Sequence, residues 1–313
     1  MNDKLISTKL KKILSDAQWT QEQLAHRLEI PLKTLNSWIN DKATPQARNV
    51  KAVDDLYLDI VGKADIDGAL LANTEHQALS QHVTVKEIIA DDDLLDKITL
   101  YLTYHTNTIE GSTMTLKDVR EVLDDDNKVL ANRPAKEQTE ARNHRTAFFY
   151  LLDELNKQGK KFKWTQELIL QTHLRLMNTI IGNAGAYRNH GVRIMGSHTA
   201  LANYPSVPQK LEELIKVMNQ PTDNLMERLA WTHATFEQIH PFSDGNGRTG
   251  RLIMFIQALQ SGLVPPLVVK ERKRAYYKYL EIAQLQGEYE LLRLFIAESI
   301  LTTNKLIIGH GLN

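Results

Sequence analysis

Cysteine is absent from this sequence of 313 residues. That absence excludes disulfide bonds, thiolate metal sites and cysteine nucleophiles, and it is typical of a reducing compartment. Long hydrophobic runs are also absent: no window of about 18 residues is apolar and uncharged, so no transmembrane helix is expected. The charged N-terminus lacks the apolar core of a signal peptide. Together these absences predict a soluble, cytoplasmic protein with no membrane partner.

The chain has no net charge, because Lys and Arg total 38 and Asp and Glu also total 38. The charge of the whole chain therefore gives no argument for a nucleic-acid partner. Its distribution is uneven, since residues 1–52 contain nine basic and five acidic residues, a net charge of +4. Hydrophobic residues make up 42% of the chain, which is enough for a sizeable core.

Proline and glycine are scarce except in residues 181–208 and 261–266. Elsewhere, apolar residues recur at the spacing of amphipathic helices, so the sequence predicts a mainly α fold. The first of these two regions also holds two short segments, 191–196 and 199–204, with the composition of strands. We predict that they pair as a small β-hairpin on an otherwise helical protein.

The segment most informative about function is residues 240–251, HPFSDGNGRTGR, which lies between two apolar helical segments. Its glycines let backbone N–H groups converge on an anion, and the start of the following helix adds partial positive charge. Arg248 and Arg251 share one helical face and suit the oxygens of a polyphosphate. Asp244 can hold a magnesium ion that bridges phosphates. His240 can accept a hydroxyl proton near neutral pH.

A histidine before proline, or a Gly-Asn-Gly turn, is by itself more often structural than functional. The complete string, however, resembles at every position the signature of the Fic family, His-Pro-Phe-x-Asp/Glu-Gly-Asn-Gly-Arg-x-x-Arg. The resemblance implies a helical core that transfers AMP from ATP, the substrate, to a protein hydroxyl, with Mg²⁺ as cofactor. Similar proteins use the His240 position to deprotonate a Ser, Thr or Tyr hydroxyl that attacks the α-phosphate. They use the Asp244 position to bind Mg²⁺.

The same resemblance implies phosphate-binding roles for the rest of the motif. Asn246 and the backbone around Gly245 and Gly247 would stabilise the α-phosphate. Arg248 would contact the β-phosphate, and Arg251 would contact the γ-phosphate. The motif would therefore supply the base, the metal ligand and the phosphate site from one loop and one helix start.

Further resemblance, from about residue 95 to residue 300, implies a target site and a nucleoside pocket. The predicted hairpin near Val192–Tyr204 corresponds to the flap that holds a segment of the target protein by β-augmentation. Tyr276 and Tyr277 stand where similar proteins line the adenine pocket. A tyrosine pair at helical spacing is as often part of a hydrophobic core, so both interpretations stay open.

Residues 106–111, TNTIEG, end a predicted helix, and Gly111 is placed to cap it. The helix dipole disfavours a carboxylate at this end, so a specific cationic partner for Glu110 is of interest. The hexamer resembles the Fic inhibitory motif, Ser/Thr-x-x-x-Glu-Gly/Asn. This resemblance implies that Glu110 pairs with Arg251 and obstructs productive binding of the γ-phosphate.

Residues 20–40 contain two short predicted helices around a tight turn and resemble the helix-turn-helix of phage-repressor-like regulators. The sequence departs from that pattern at Glu29, where glycine is usual. The resemblance implies a DNA-binding surface that faces the major groove and consists of Lys33, Thr34, Asn36 and Ser37. The alternative is a helical bundle used for oligomerisation, and a homodimer would suit DNA with paired half-sites.

The predicted organisation is a small all-α helix-turn-helix domain at 1–60, a helical connector at 61–90, and a Fic domain with an N-terminal inhibitory helix at 91–313. The leading function is a protein adenylyltransferase inhibited by Glu110. A hydrolase that removes AMP at the same site stays open, as does a transcriptional regulator whose Fic domain senses nucleotide. A kinase-like activity of the Doc type is disfavoured, because that motif lacks the Gly-Asn-Gly-Arg pattern.

Overall fold

The computed structural model describes residues 3–61, 68–194 and 197–308. The chain divides into two compact units, residues 1–67 and residues 68–313. Each unit has a hydrophobic core of its own. None of the helices in the described ranges combines the length and the hydrophobicity that a bilayer span requires.

The described part of the N-terminal unit contains four helices: α1 (Asp3–Ala17), α2 (Gln21–Arg27), α3 (Leu32–Ile39) and α4 (Ala47–Val61). A capping box begins α2, because Thr20 and Gln23 each accept a hydrogen bond from the backbone N–H of the other. Glu29, in the turn before α3, has a φ of 53°, in the left-handed region that favours glycine. The core consists of apolar side chains at helical spacing, including Leu10, Ile13, Leu24 and Leu35.

Eleven α-helices lie in the described part of the larger unit. They are α5 (Gly68–Leu79), α6 (Val85–Ala90), α7 (Asp92–Ile109), α8 (Leu116–Asp124), α9 (Ala135–Gln158), α10 (Gln166–Met177), α11 (Val207–Met218), α12 (Leu225–Ile239), α13 (Asn246–Gln260), α14 (Lys273–Gln286) and α15 (Glu290–Thr303). Asp91 caps the start of α7, where its side chain accepts a hydrogen bond from the N–H of Leu94, and Asp92 and Asp93 lie in the first turn.

Helix α13 is the centre of the larger unit. Of its 15 residues, 13 are buried, and it packs against α7, α9, α10 and α12. A helix that is apolar on most of its faces is stable only when other elements surround it. This burial places the first two turns of α13, which carry the motif arginines, beside the end of α7 and the start of α9.

Residues 191–204 contain no strand in the part that the structure describes, so the prediction of a β-hairpin flap was wrong. Met195 and Gly196, at the centre of the predicted hairpin, lie outside the described residues. Among the described residues, β-type pairing is limited to one isolated bridge between His82 and Leu263. The prediction of a mainly α protein is confirmed.

Several backbone groups of this segment bond to the helical core. The N–H of Ala202 donates to the carbonyl of Gln238 on α12 at 3.1 Å, and the carbonyl of Ala202 accepts from the Arg188 guanidinium. The N–H of His198 donates to Glu281 on α14 at 2.9 Å. A hairpin ladder would need these same N–H and carbonyl groups. Tertiary partners therefore replace the pairing that local composition predicts.

Candidate active site

His240 ends α12 and begins the loop that leads to α13. Its backbone has a φ of 49° and a ψ of 62°, a left-handed conformation that is uncommon outside glycine and recurs at functional sites. The imidazole Nδ1 lies 3.2 Å from the carbonyl oxygen of Glu237, so Nδ1 carries the hydrogen and Nε2 is the acceptor. Burial lowers the pKa of His240 and thereby favours the neutral ring. The ring is thus prepared to accept a proton at Nε2.

Two contacts hold the loop between α12 and α13 in shape. The ring of Phe242 is buried and stacks on His173, with 3.6 Å between ring centroids. Oδ1 of Asn246 accepts from the N–H of Phe242, and Nδ2 of Asn246 donates to the carbonyl of Phe242, both at 2.9 Å. The amide of Asn246 is therefore engaged within the loop, and its contact with an α-phosphate stays a prediction.

The first turn of α13 has the features of an anion-binding position. Gly245 precedes the helix with a φ of 79°, and glycine provides no side chain to cap the free N–H groups of the first turn. A Cβ atom at Gly247 would lie 2.5 Å from Oε1 of Glu110 and 3.0 Å from Nη1 of Arg251. Glycine at this position therefore lets the carboxylate of Glu110 approach the helix backbone closely. A phosphate oxygen has the chemistry to take the same position.

Glu110 and Arg251 form an ion pair between the end of α7 and the first turns of α13. Nη2 of Arg251 donates to Oε1 of Glu110, and Nε of Arg251 donates to Oγ1 of Thr106 at 2.7 Å. The Arg251 side chain is 3% exposed and the Glu110 side chain is 33% exposed. Nη1 of Arg251 is buried and finds no hydrogen-bond partner among the described residues. A buried donor of this kind calls for an anion or a water molecule.

Arg248 lies one turn before Arg251 on α13 and is held between two carboxylates. Its Nη1 donates to Oε1 of Glu140 on α9 at 3.0 Å, and its Nη2 lies 3.7 Å from Oδ1 of Asp244. The Asp244 side chain is 51% exposed, and its Oδ1 accepts from the N–H of Gly245 at 2.6 Å. Asp244 therefore presents a carboxylate to solvent beside the anion-binding turn.

The Asp244 carboxylate fits the magnesium ion that the motif implies. The N–H donors at the start of α13 and on the two motif arginines fit the polyphosphate. A magnesium ion is usually held by one or two carboxylates together with phosphate oxygens and water, and Asp244 supplies one exposed carboxylate. Within the described ranges, no three His, Asp or Glu residues are grouped as a metal site. An ion bound at Asp244 would therefore take its other ligands from phosphate and water.

Tyr276 and Tyr277, near the start of α14, differ in their exposure. Tyr276 is buried, and its hydroxyl lies 2.8 Å from Nε2 of His233. The Arg251 guanidinium lies 5.8 Å from the centroid of the Tyr276 ring, so Tyr276 packs beside that arginine. Tyr277 is 38% exposed and is the member of the pair whose ring can contact a ligand. The nucleoside pocket stays a prediction.

The predicted DNA-contacting residues all lie on α3 of the N-terminal unit. Leu35 and Trp38 of this helix are buried in the core of the unit, whereas the four predicted residues are exposed or half-buried: Lys33, Thr34, Asn36 and Ser37. The hydroxyl of Ser37 donates to the carbonyl of Lys33 at 3.0 Å. These four residues therefore lie outside the hydrophobic core of the N-terminal unit.

His173 on α10 contacts the loop between α12 and α13, and sequence reasoning did not identify it. Its Nε2 donates to the carbonyl of Asp244 at 3.0 Å, and its Nδ1 accepts from the N–H of Gly185 at 2.9 Å. Burial lowers the pKa of His173 to about 4, so this bridge is made by a neutral ring. A lone histidine in an apolar helix gives no local signal of such a role.

Glu237 is a second buried residue that sequence reasoning missed. It lies on α12 against Gly250 of α13. The pKa of Glu237 is raised to about 8, chiefly by burial, with Arg251 opposing the rise and Glu110 contributing to it. Its Oε1 has no hydrogen-bond partner within the described chain. The position of this carboxylate, three residues before His240, was the signal that could have found it.

Comparison with known proteins agrees with this geometry. Residues 163–258 match the sequence profile of the Fic/DOC family. Protein adenylyltransferase Fic of Drosophila ananassae is 28% identical over 198 residues, which cover 62% of this chain and 39% of that protein. The corresponding protein of Drosophila virilis is 25% identical over 272 residues, which cover 80% of this chain and 55% of that protein. This chain thus spans about two fifths to one half of the length of these curated relatives.

Solved structures share the fold at lower identity. Fic-1 from C. elegans aligns with a TM-score of 0.65 at 22% identity and covers 93% of this chain and 84% of that chain. A Fic family protein from Desulfovibrio desulfuricans aligns with a TM-score of 0.62 at 22% identity. The alignment covers 80% of this chain and 78% of that chain. Residues 163–258, which include the motif, thus match the Fic/DOC family, and over part of its length the chain is similar to enzymes named protein adenylyltransferase Fic.

Proposed function

We propose that this chain transfers AMP from ATP to a hydroxyl group of a target protein or of itself. One observation carries the proposal. A single short loop separates His240, whose Nε2 can accept a proton, from the first turn of α13, where an anion can bind. In the proposed reaction the hydroxyl oxygen bonds to the α-phosphorus, its proton passes to Nε2 of His240, and the bond to the leaving pyrophosphate breaks. The buried guanidinium groups of Arg248 and Arg251 would stabilise the charge on the phosphates.

Asp244 would hold Mg²⁺ beside the phosphates in this reaction. The bound ion would supply positive charge that neutralises the leaving pyrophosphate. The half-exposed Asp244 carboxylate at the entrance to the anion-binding turn supports this assignment.

We also propose that Glu110 restrains the transfer. Its carboxylate binds Nη2 of Arg251 and fills the space above Gly247. A polyphosphate must displace this carboxylate to bind Arg251 at the same position. Nucleotide binding and the Glu110–Arg251 pair are therefore in competition.

The exposure of Glu110 supports a second candidate function, hydrolytic removal of AMP from a modified protein. One third of its side chain is open to solvent, so its carboxylate can contact a water molecule beside the phosphate site. In that reaction Glu110 would orient the attacking water as a general base. AMP transfer and AMP removal would share one site. Loss of Glu110 would raise the rate of AMP transfer but would abolish AMP removal.

The experiment that tests the leading proposal follows the two ends of the triphosphate separately. The full chain and its Glu110→Gly variant are incubated with Mg²⁺ and with ATP labelled on the α- or the γ-phosphate. We expect the α-label to enter protein and the γ-label to stay in solution. Incorporation of the γ-label would instead show phosphoryl transfer, and release of AMP from a labelled protein without net labelling would show the hydrolytic function. Absence of all three would reject the proposed reaction.

We propose that the target protein docks along residues 192–204. The segment is tied to the site at Ala202, whose N–H donates to Gln238, two residues before His240. A target chain lying along this segment would bring its hydroxyl toward the His240 ring.

We propose that residues 20–40 act as a helix-turn-helix that binds DNA as a homodimer on paired half-sites about one helical turn apart. Support comes from the two short helices α2 and α3, from the position of Lys33 and its neighbours outside the core, and from the net charge of +4 in residues 1–52. If DNA binds without transfer activity, the Fic domain would be a nucleotide sensor of a transcriptional regulator.

DNA binding by the full chain is expected to weaken steeply with salt, because neutralised phosphates release counterions. If Lys33 contacts a phosphate, Lys33→Ala should weaken binding to all duplexes alike. It should also reduce the slope of log affinity against log salt concentration by about one. Asn36→Ala should reduce discrimination at one base if Asn36 reads a base edge. Fluorescence anisotropy with the DNA upstream of the coding region and a scrambled duplex measures both effects.

Lys86→Ala is the matched control for this experiment, because Lys86 is an exposed lysine of the larger unit. It should leave DNA affinity unchanged. A full chain that binds no duplex in a salt-sensitive way would contradict the DNA proposal. The N-terminal unit would then be better interpreted as an oligomerisation bundle.

A further inference from the structure

Arg188 is a buried arginine that lies between the candidate base and the proposed target-docking segment. It follows the turn at Gly185 and is 3% exposed. Its side-chain donors go to backbone carbonyls of three separate parts of the chain: Nε to His240 at 2.7 Å, Nη1 to His190 at 2.9 Å, and Nη2 to Ala202 and to Ile239. Its own N–H donates to the carbonyl of Pro241 at 2.9 Å.

These contacts meet at the end of α12, where the backbone needs outside partners. The last carbonyls of a helix have no partner within it, and Arg188 donates to those of Ile239 and His240. His240 itself is in the left-handed conformation, with a φ of 49°. A non-glycine residue keeps such a conformation only when its surroundings determine it. Arg188 is the charged group that satisfies these carbonyls from inside the protein.

The other donors of Arg188 reach both sides of the proposed docking segment. His190 lies just before residues 192–204, and Ala202 lies near their end. The planar guanidinium presents five N–H donors in a fixed arrangement, so one group sets the separation of several carbonyls. A lysine ammonium at the same place is a point charge and cannot hold these carbonyls in the same plane.

We infer that Arg188 is a positioning residue that orients His240 for proton transfer and ties both ends of the docking segment to it. This inference rests on the proposed transfer of AMP. Arg188 acts through the backbone of His240 and contacts neither phosphate nor nucleotide in this assignment. Its loss should therefore reduce the rate of transfer far more than the affinity for Mg²⁺-ATP, whose donors lie on α13.

The test compares Arg188→Gln and Arg188→Lys in the full chain with Glu110→Gly, a background in which transfer is expected to be measurable. Initial rates with α-labelled ATP give kcat, and equilibrium binding gives the Kd of Mg²⁺-ATP. We expect Arg188→Gln to lower kcat by about 10- to 100-fold, since a displacement of about 1 Å has effects of that size. The Kd of Mg²⁺-ATP should change by less than about threefold. Arg188→Lys should recover only part of the rate.

Arg228→Gln is the matched control. Arg228 also donates to backbone carbonyls, those of Val217, Gln220 and Pro221. It lies on the same helix as His240 but about 18 Å farther along the helix axis. Its replacement should lower thermal stability to a similar degree and leave kcat unchanged. Equal kcat values for Arg188→Gln and Arg228→Gln would overturn the inference.

A second measurement is independent of activity. Burial lowers the pKa of His240, and the charge of Arg188 lowers it further, whereas the Glu237 carbonyl, Glu110 and Asp244 oppose that change. NMR titration of the His240 ring in the otherwise native chain should therefore give a higher pKa in Arg188→Gln and a nearly native one in Arg188→Lys. An unchanged pKa in folded Arg188→Gln would count against the contact.

The two measurements separate the possible failures. If the Glu110→Gly chain transfers no AMP, the proposed function fails, while the NMR titration still reports whether Arg188 acts on His240. If Arg188→Gln does not fold, Arg188→Lys carries the comparison, because it keeps the charge and loses the planar donors. A native kcat in Arg188→Lys would then overturn the inference, and a reduced kcat with a native Kd would support it.

Discussion

His240→Ala is expected to lower AMP transfer by about 10²- to 10⁴-fold, the usual effect of removing a general base. The reason is that Nε2 of His240 is the neutral acceptor beside the anion-binding turn, and its Nδ1 is already bonded to Glu237. Binding of Mg²⁺-ATP should stay within about threefold of the native chain, because its proposed donors lie on α13 and Asp244. Initial rates with α-labelled ATP and a binding titration measure the two quantities.

His76→Ala is the control for the loss of an imidazole, since His76 is exposed on α5. It should transfer AMP at the native rate. The His240→Ala protein must also keep its helical circular dichroism, so that a folded but inactive enzyme is compared with a folded active one. Near-native transfer by folded His240→Ala would reject the proposed role of His240.

Glu110→Gly is expected to raise AMP transfer by about tenfold, and at most by about a hundredfold. A hydrogen bond between charged groups contributes about 1.5–3 kcal/mol, and about 1.4 kcal/mol corresponds to a tenfold change in a binding constant. One third of the Glu110 side chain is exposed, so screening by solvent favours the lower end. The gain should appear as tighter productive binding of ATP, measured as a lower KM in the α-label assay.

Two further variants show whether the charge of Glu110 is responsible. Glu110→Gln keeps the shape and removes the charge, so it should recover much of the gain. Glu75→Gln removes a carboxylate from the separate Arg293 pair, at 2.8 Å, and should leave transfer unchanged. If transfer stays level or falls in Glu110→Gly while a modified protein no longer loses AMP, Glu110 is catalytic and the hydrolytic function is favoured.

The sequence was most informative where function depends on residues that are adjacent in the chain. The string from His240 to Arg251 predicts a base, a carboxylate and two arginines around one loop, and these lie together in the structure because a helix end and a helix start confine them. The pairing of Glu110 with Arg251 is also found in the structure. It followed from resemblance alone, since no local pattern joins residues so far apart.

The hairpin shows where local composition was insufficient. Residues 191–204 carry turn and strand signals, yet Ala202 and His198 bond to Gln238 and Glu281 on helices. Strand propensity reflects fit to a neighbouring strand, and it is easily overridden when other partners are nearer. The hairpin prediction therefore failed because backbone groups of this segment bond to residues elsewhere in the fold.

By itself, the sequence determined the helical character of the chain, the +4 charge of its N-terminus and the chemistry of the loop after α12. These features depend on periodicity and on residues close in the chain. Only the tertiary structure decided which buried groups support that loop. His173 reaches the Asp244 carbonyl from α10, Glu140 reaches Arg248 from α9, and Arg188 reaches the end of α12. Such contacts arise from the packing of helices around α13, and no spacing in the sequence records them.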